Sequence, residues 1–320
     1  MHSSIALVLS VALTAGMGFA ADKKNDPSQI GNRDVGKGLN FYSIEKEIAL
    51  GKQLAQEVAR QTKLLDDPII GEYVNRVGQN LVRNSDSRFA FQFQVIDDDT
   101  PNAFALPGGF VFVNTGLIKI ADEEDEFAAA VAHEIAHVAA RHMTRQATKA
   151  QLASMLNMPA SVILGGGWGG YAGRQAMGLV MPTMFMKFSR GDESEADYLG
   201  VQYMYAAGYD PTGAISIFEK LESLRRKSPG FVDRMLSSHP LDADRIKRTE
   251  KEIDDILPSK GEYVVTTSEY RDMRERLIDM QAGRKSTPGN GGPKLKSAPR
   301  TSPTVRDEEP PTVRRRGLTE

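Results

Sequence analysis

Two histidines four residues apart, with a glutamate directly after the first, carry the clearest capacity for chemistry in this chain: His133, Glu134 and His137 in H-E-I-A-H. On an α-helix, positions four apart share one face, a turn along from each other. The two imidazoles can therefore grip a single metal ion, and Glu134, one step round, can reach a water held there. This is the donor pattern of zinc hydrolases, in which the metal acidifies the water and the carboxylate takes its proton. A catalytic zinc needs a third protein ligand and leaves one position open. The 320 residues contain no cysteine, so that ligand must be a histidine or a carboxylate.

His142 is the nearest further histidine. It lies nine residues after His133, about 180° round the helix, and so faces away, which gives it a structural role. The stretch S-R-G-D-E-S-E-A-D at 189–197 serves better. Glu193 and Asp197 are four apart and share a helix face, so one can bind metal while the other accepts the N–H of a ligating imidazole. Periodicity alone allows Glu195 as the ligand equally well.

The elements that must position these groups follow from patterning. Phe127, Val131, Ile135 and Val138 around the motif predict a buried helix. Asp122, Glu123, Glu124, Asp125 and Glu126 crowd its start, with Arg141 and Arg145 near its end, as the helix dipole favours. Ser43 and Asp67-Pro68 open two earlier amphipathic helices, running to about 62 and 84. Residues 89–96 alternate as a half-buried strand. Two short strands then flank a Pro107-Gly108-Gly109 turn and lead through 115–120 into the motif helix. In the first of them, Asn102, Ala103, Phe104, Ala105 and Leu106 can form an edge that pairs with an extended substrate peptide; the hairpin could equally do no more than cover the core. Helices are expected over 191–208, from Asp210-Pro211 to Lys227, over 241–256 and over 268–280, with a strand at 262–266. The class is α+β, mostly helical, with a small β-sheet beside the active-site helix.

Residues 1–20 have the apolar run and small-residue end of a signal peptide cut after Ala20. The absence of cysteine suits export to a periplasm, and a net charge of −2 gives no reason to expect a nucleic-acid partner. Residues 21–42 read as a flexible leader, 43–282 as the working domain and 283–320 as a disordered basic tail. The stretch 147–188 holds Trp168 within a run of glycines at 165–170 and is expected to be a helical hairpin with a mobile tip at 165–173.

H-E-I-A-H followed by S-R-x-x-E-x-x-A-D resembles the zinc metallopeptidase family that includes the CAAX prenyl protease, the heat-shock protease HtpX and a mitochondrial protease. N-A-F-A-L-P-G-G-F-V-F-V-N-T-G-L before it and S-H-P-L-D-A-D-R-I after it look like the soluble, exported branch, typified by a periplasmic chaperone-protease. The resemblance runs from about 43 to 256. It implies a gluzincin-type metalloprotease domain with one Zn2+ per chain, held by His133, His137 and Glu193, with Glu134 as the base and Asp197 orienting a ligand. It matches His239 to a histidine that either fills the open position or contacts substrate, and Arg245 to an arginine suited to the oxyanion. It also implies protein substrates, unfolded or misassembled in the cell envelope, with peripheral contact to membrane or outer-membrane assembly machinery. The alternative it leaves is a chaperone or assembly factor whose zinc site is plugged.

Overall fold

The computed structural model describes residues 26–156, 187–228, 230–241, 243–285 and 312–314. The expected signal peptide, the 165–173 tip and most of the basic tail lie outside them. Residues 26–42, read from composition as a loose leader, are tied down. Arg33 is buried against Asp86, its Nη1 donates to Gln202 Oε1 at 2.6 Å, and Val35 enters the main core.

Helices α1 (Ile44–Gln61) and α2 (Pro68–Arg83) start where their caps place them. Ser43 Oγ accepts from the Lys46 N–H, and Asp67 Oδ1 accepts from the N–H groups of Ile69 and Ile70, satisfying donors that a helix start leaves unpaired. Strands β1 (Gln92–Ile96), β2 (Ala103–Leu106) and β3 (Phe110–Asn114) form one sheet in the order β1-β3-β2. β1 runs parallel to β3, and β2 pairs antiparallel with β3 from Ala103↔Val113 to Leu106↔Phe110. Gly108 and Gly109 turn this hairpin with φ of 79° and 96°, the left-handed region that glycine enters freely. A Cβ on Gly108 would lie 2.6 Å from Ile48 Cα, so the turn seats directly on α1. β2 is left as the sheet's edge.

The short α3 (Thr115–Ile120) precedes the motif helix α4 (Glu124–Ala139), in which every residue is buried. A helix buried all round needs neighbours on every side. They are α2, β2, α6 (Arg190–Ala207), α7 (Gly213–Lys227) and β4 (Tyr263–Thr266). Its acidic start is sheltered by donors: Tyr209 Oη and Thr267 Oγ1 donate to Glu124, and Lys220 Nζ to Glu126. α4 stops at Ala139 because Arg141 takes φ 57°, and a new helix, α5 (His142–Leu156), sets off in another direction. That break was not expected.

Between α7 and β4 run α8 (Asp233–Ser238), also unexpected, and α9 (Ala243–Ile256). α10 (Ser268–Lys285) closes the domain over α2 and α3. Within the basic tail, β5 (Thr312–Arg314) pairs antiparallel with β4, where composition predicts no structure. Among the described residues no helix is long and apolar enough to cross a membrane.

Candidate active site

Two consecutive turns of α4 present His133 and His137 with their Nε2 atoms 3.0 Å apart. α6 packs closely along α4 and carries Glu193 to the same point, its Oε1 3.4 Å from His137 Nε2 and its Oε2 3.5 Å from His133 Nε2. His239, on the connector between α8 and α9, adds a fourth donor: its Nδ1 lies 3.3 Å from His133 Nε2 and 3.0 Å from Glu193 Oε1. Ligand atoms of these four residues all fall within 4.8 Å of one another, and all four side chains are buried. Zinc bonds of about 2.0–2.1 Å to nitrogen and oxygen would set the edges of a ligand tetrahedron at roughly 3.3 Å. Five of the six pairs of residues approach to between 3.0 and 3.5 Å. Three imidazole nitrogens and a carboxylate converging without intervening cation charge would leave their lone pairs opposed, so the donor set fits a zinc ion.

Behind these donors stands a bracing layer. Asp197, one turn beyond Glu193, has Oδ1 3.0 Å from His133 Nδ1. Arg245 on α9 grips it with Nε at 2.6 Å and Nη2 at 2.7 Å, and its Nη1 lies 2.7 Å from Glu193 Oε2. Burial alone would raise Asp197; Arg245 and His133 outweigh it and hold the carboxyl below its usual range. Burial likewise disfavours a charged His133, but Asp197 and Glu193 push it up to about 9. Arg245 thus anchors two carboxylates.

Glu134 faces the sheet edge. Its Oε2 accepts the Ala105 N–H at 2.9 Å, so the β2 amide turned away from β3 points at this carboxylate. Its Oε1 lies 3.4 Å from His239 Nε2. Burial raises the Glu134 carboxyl above its ordinary value, the direction a general base working near neutral pH requires. Of the expected edge, Ala103, Phe104, Ala105 and Leu106 form β2, and Asn102 precedes it with its carbonyl accepting the Asn114 N–H. Two apolar recesses flank the donors. One, beside Glu134, is lined by Ala130, Ile217, Phe218, Leu221 and Leu241; the other, beside His137, by Leu106, Pro107, Val138, Met143 and Phe188.

Sequence reasoning missed two neighbours. Phe188 stacks on His137 with ring centroids 4.0 Å apart, and its N–H donates to Ser238 O, next to His239. His142 is fully buried with Nδ1 2.8 Å from His137 Nδ1, and its Nε2 is 3.1 Å from Glu195 Oε2. Glu195 thus turns away from the donor cluster, while Glu193 enters it. No local signal marks Phe188. The R-H pair at 141–142 could have been read as an approach to His137 only if a helix break at Arg141 had been foreseen.

The model of peptidase family M48 matches residues 69–253. The beta-barrel assembly-enhancing protease of Yersinia pestis is 30% identical over 285 residues, covering 86% of this chain and 57% of the relative. Its Escherichia coli (strain K12) counterpart is 30% identical over 71% of this chain and 47% of its own length. The mitochondrial metalloendopeptidase OMA1 of Schizosaccharomyces pombe is 36% identical over 180 residues, 56% of this chain and 52% of the relative. The chain spans about half the length of the curated relatives it matches. With the matched region enclosing α4, α6 and most of α9, the chain belongs to peptidase family M48.

Proposed function

We propose that this protein is a zinc-dependent metalloendopeptidase. The observation that carries the proposal is the convergence of His133 Nε2, His137 Nε2 and a Glu193 oxygen beside a carboxylate, Glu134, that already meets the edge strand. His133, His137 and Glu193 would hold the ion, one per chain, with Asp197 and Arg245 as their braces. When bound, zinc polarises the scissile carbonyl and lowers the pKa of water.

This chain's own residues do the rest. Ala103 and Ala105 offer outward backbone groups to an extended peptide laid along β2. The two flanking recesses are apolar, which suits apolar side chains on both sides of the scissile bond and favours segments that folded proteins bury. Glu134 takes a proton from the attacking water at its carboxylate and returns it to the leaving nitrogen. For that, the Ala105 N–H and His239 must give way to substrate, since both now engage Glu134.

Substrates are unfolded or misassembled proteins of the cell envelope, reached in the periplasm after export. The support is the relatives' name, which couples protease to beta-barrel assembly, and the N-terminal pattern at 1–20. Peripheral contact with a membrane or with outer-membrane assembly machinery follows from the same reading. A second reading has its own observation. His239 occupies the position an open zinc site would leave for water, so the protein could act chiefly as a chaperone or assembly factor, plugged at rest.

Glu134→Gln tests the enzyme reading. The variant should retain one zinc and lose cleavage of casein by about 10²–10⁴-fold. Undiminished cleavage would remove Glu134 from the mechanism, and a zinc-loaded wild type that never cleaves would leave the chaperone reading standing.

A further inference from the structure

We propose that His142 and Glu195 are positioning residues for the metal, forming a two-step brace that fixes the tautomer and aim of His137; this rests on the metallopeptidase reading above. The two ligating imidazoles of α4 face the same demand. Each must offer a lone pair from Nε2, so each must carry its proton on Nδ1 and place it on an acceptor. His133 meets that demand in one step, through Asp197, which Arg245 holds. No carboxylate touches His137 Nδ1 among the described contacts. A second imidazole does: His142 Nδ1 at 2.8 Å.

With both rings neutral and His137 Nε2 kept bare for the metal, one arrangement of protons satisfies that contact. His137 Nδ1–H donates to the bare Nδ1 of His142, whose proton then sits on Nε2 and is donated to Glu195 Oε2 at 3.1 Å. Arg145 Nη1 donates to the same oxygen at 3.4 Å, closing the brace with an arginine as Arg245 closes the other. The two braces thus match in logic: imidazole, acceptor, guanidinium. They differ by one interposed ring.

The backbone is bent to make this possible. A continued α4 would carry residue 142 away from His137; the turn at Arg141, with φ 57°, brings it back. A left-handed conformation is uncommon for a non-glycine residue, and such conformations persist where surroundings enforce them. Here Arg141 Nε donates to Glu47 Oε1 at 2.6 Å and Nη2 to Tyr42 O at 2.5 Å, while Thr144 Oγ1 donates to the same Glu47 oxygen at 2.7 Å. Glu47 is almost wholly buried, so the turn is held from α1. His142 is in turn the first residue of α5, fully buried, with nothing in its position to reach the cation side of His137.

The test is zinc affinity by chelator competition, with the Co2+ absorption spectrum of the substituted protein as a second readout. His142→Phe keeps the ring volume and removes the acceptor; zinc should bind about 10–100-fold more weakly, with an altered Co2+ spectrum. His142→Asn places Oδ1 where Nδ1 was and should recover most of that loss, which simple core packing would not predict. Zinc affinity in His142→Phe within about twofold of wild type, or no recovery in His142→Asn, overturns the proposal. If His142→Phe does not fold, Glu195→Leu carries the test: a loss of about fivefold or more supports the brace, and unchanged affinity overturns it. A folded wild type that binds no zinc would bring down the metallopeptidase reading and this proposal together. Loss of zinc in His137→Ala with full retention in His142→Phe would bring down the brace alone.

Discussion

Three of the four converging donors stand on regular helices, and the fourth stands on a connector. His133, His137 and Glu193 are set by α4 and α6, whose facing residues are buried along their length. His239 follows the six-residue α8, and among the described residues its connector is tied by Phe188 N–H to Ser238 O at 3.2 Å and by Arg245 Nη1 to Pro240 O at 3.3 Å. Moving a helical donor means unpacking the core; moving His239 means shifting a short segment and the Phe188 ring that lies over the site. On the metallopeptidase reading proposed above, the frame would be the permanent ligand set and the cover the exchangeable part, so that one site would be both loaded and closed at rest.

The sharpest way to break the contrast is to remove one donor from each side. Glu193→Ala should lower zinc affinity by more than about a hundredfold, beyond what outer contacts cost, and abolish casein cleavage. His239→Ala should lower it by less than about tenfold and raise cleavage, because the position it vacates is the one substrate chemistry needs. Equal loss of zinc in the two variants, read by chelator competition, would erase the distinction between frame and cover.

A second probe asks how rigidly the frame is built. Arg33 ties the N-terminal segment to Asp86 after α2 and to Gln202 on α6, with both charged side chains almost fully buried. Asp86→Ala removes the carboxylate that faces a buried guanidinium and strips Tyr203 Oη of its acceptor, so it should cost about 3–5 kcal/mol in denaturant unfolding. Phe188→Ala, on the cover, should change unfolding less than this and cleavage more. A loss below about 1 kcal/mol for Asp86→Ala would show that the frame does not depend on this tie.

The frame was largely legible in sequence and the cover was not, for a physical reason. Helical periodicity assigns His133 and His137 to one face with Glu134 one step round, and puts Glu193 and Asp197 on one face of a second helix, without knowledge of the rest of the chain. Choosing Glu193 over Glu195 needed the packing of α6, since both sit near the right turn. His239 stands on a connector, which has no period to read, and nothing in the period of α9 singles out Arg245, so both were reachable only through resemblance. His142 was misplaced because the break at Arg141 is imposed by Glu47 and Tyr42, far away in sequence, at a residue with no intrinsic preference for it. The same holds for 26–42: a polar segment reads as loose unless the buried partner of its one arginine is known.

The smallest expected effect tests the electrostatics of the frame without touching a donor. Glu252 on α9 is half-buried, and its carboxyl is raised to about 7, first by burial and then by the negative charge of Asp197. Its Oε2 is a buried oxygen with no hydrogen-bond partner among the described residues. Below its unfolded value of 4.5 the carboxyl is protonated in both states and contributes no pH dependence. Between 4.5 and about 7 the folded protein holds a proton that the unfolded chain has released, so stability falls as pH rises through that window and stays lower above it. Glu252→Gln removes the charge and with it this loss. A full conversion of the shift would be roughly 3 kcal/mol, but solvent screens a half-exposed carboxylate, which reduces the expectation to about 1 kcal/mol. The variant should therefore match wild type at pH 4 and exceed it by about that amount at pH 8 in urea unfolding of the zinc-loaded protein. A difference of the same size at both pH values would mean that the substitution acts through packing, and that the charge of Asp197 is fully absorbed by Arg245 and His133.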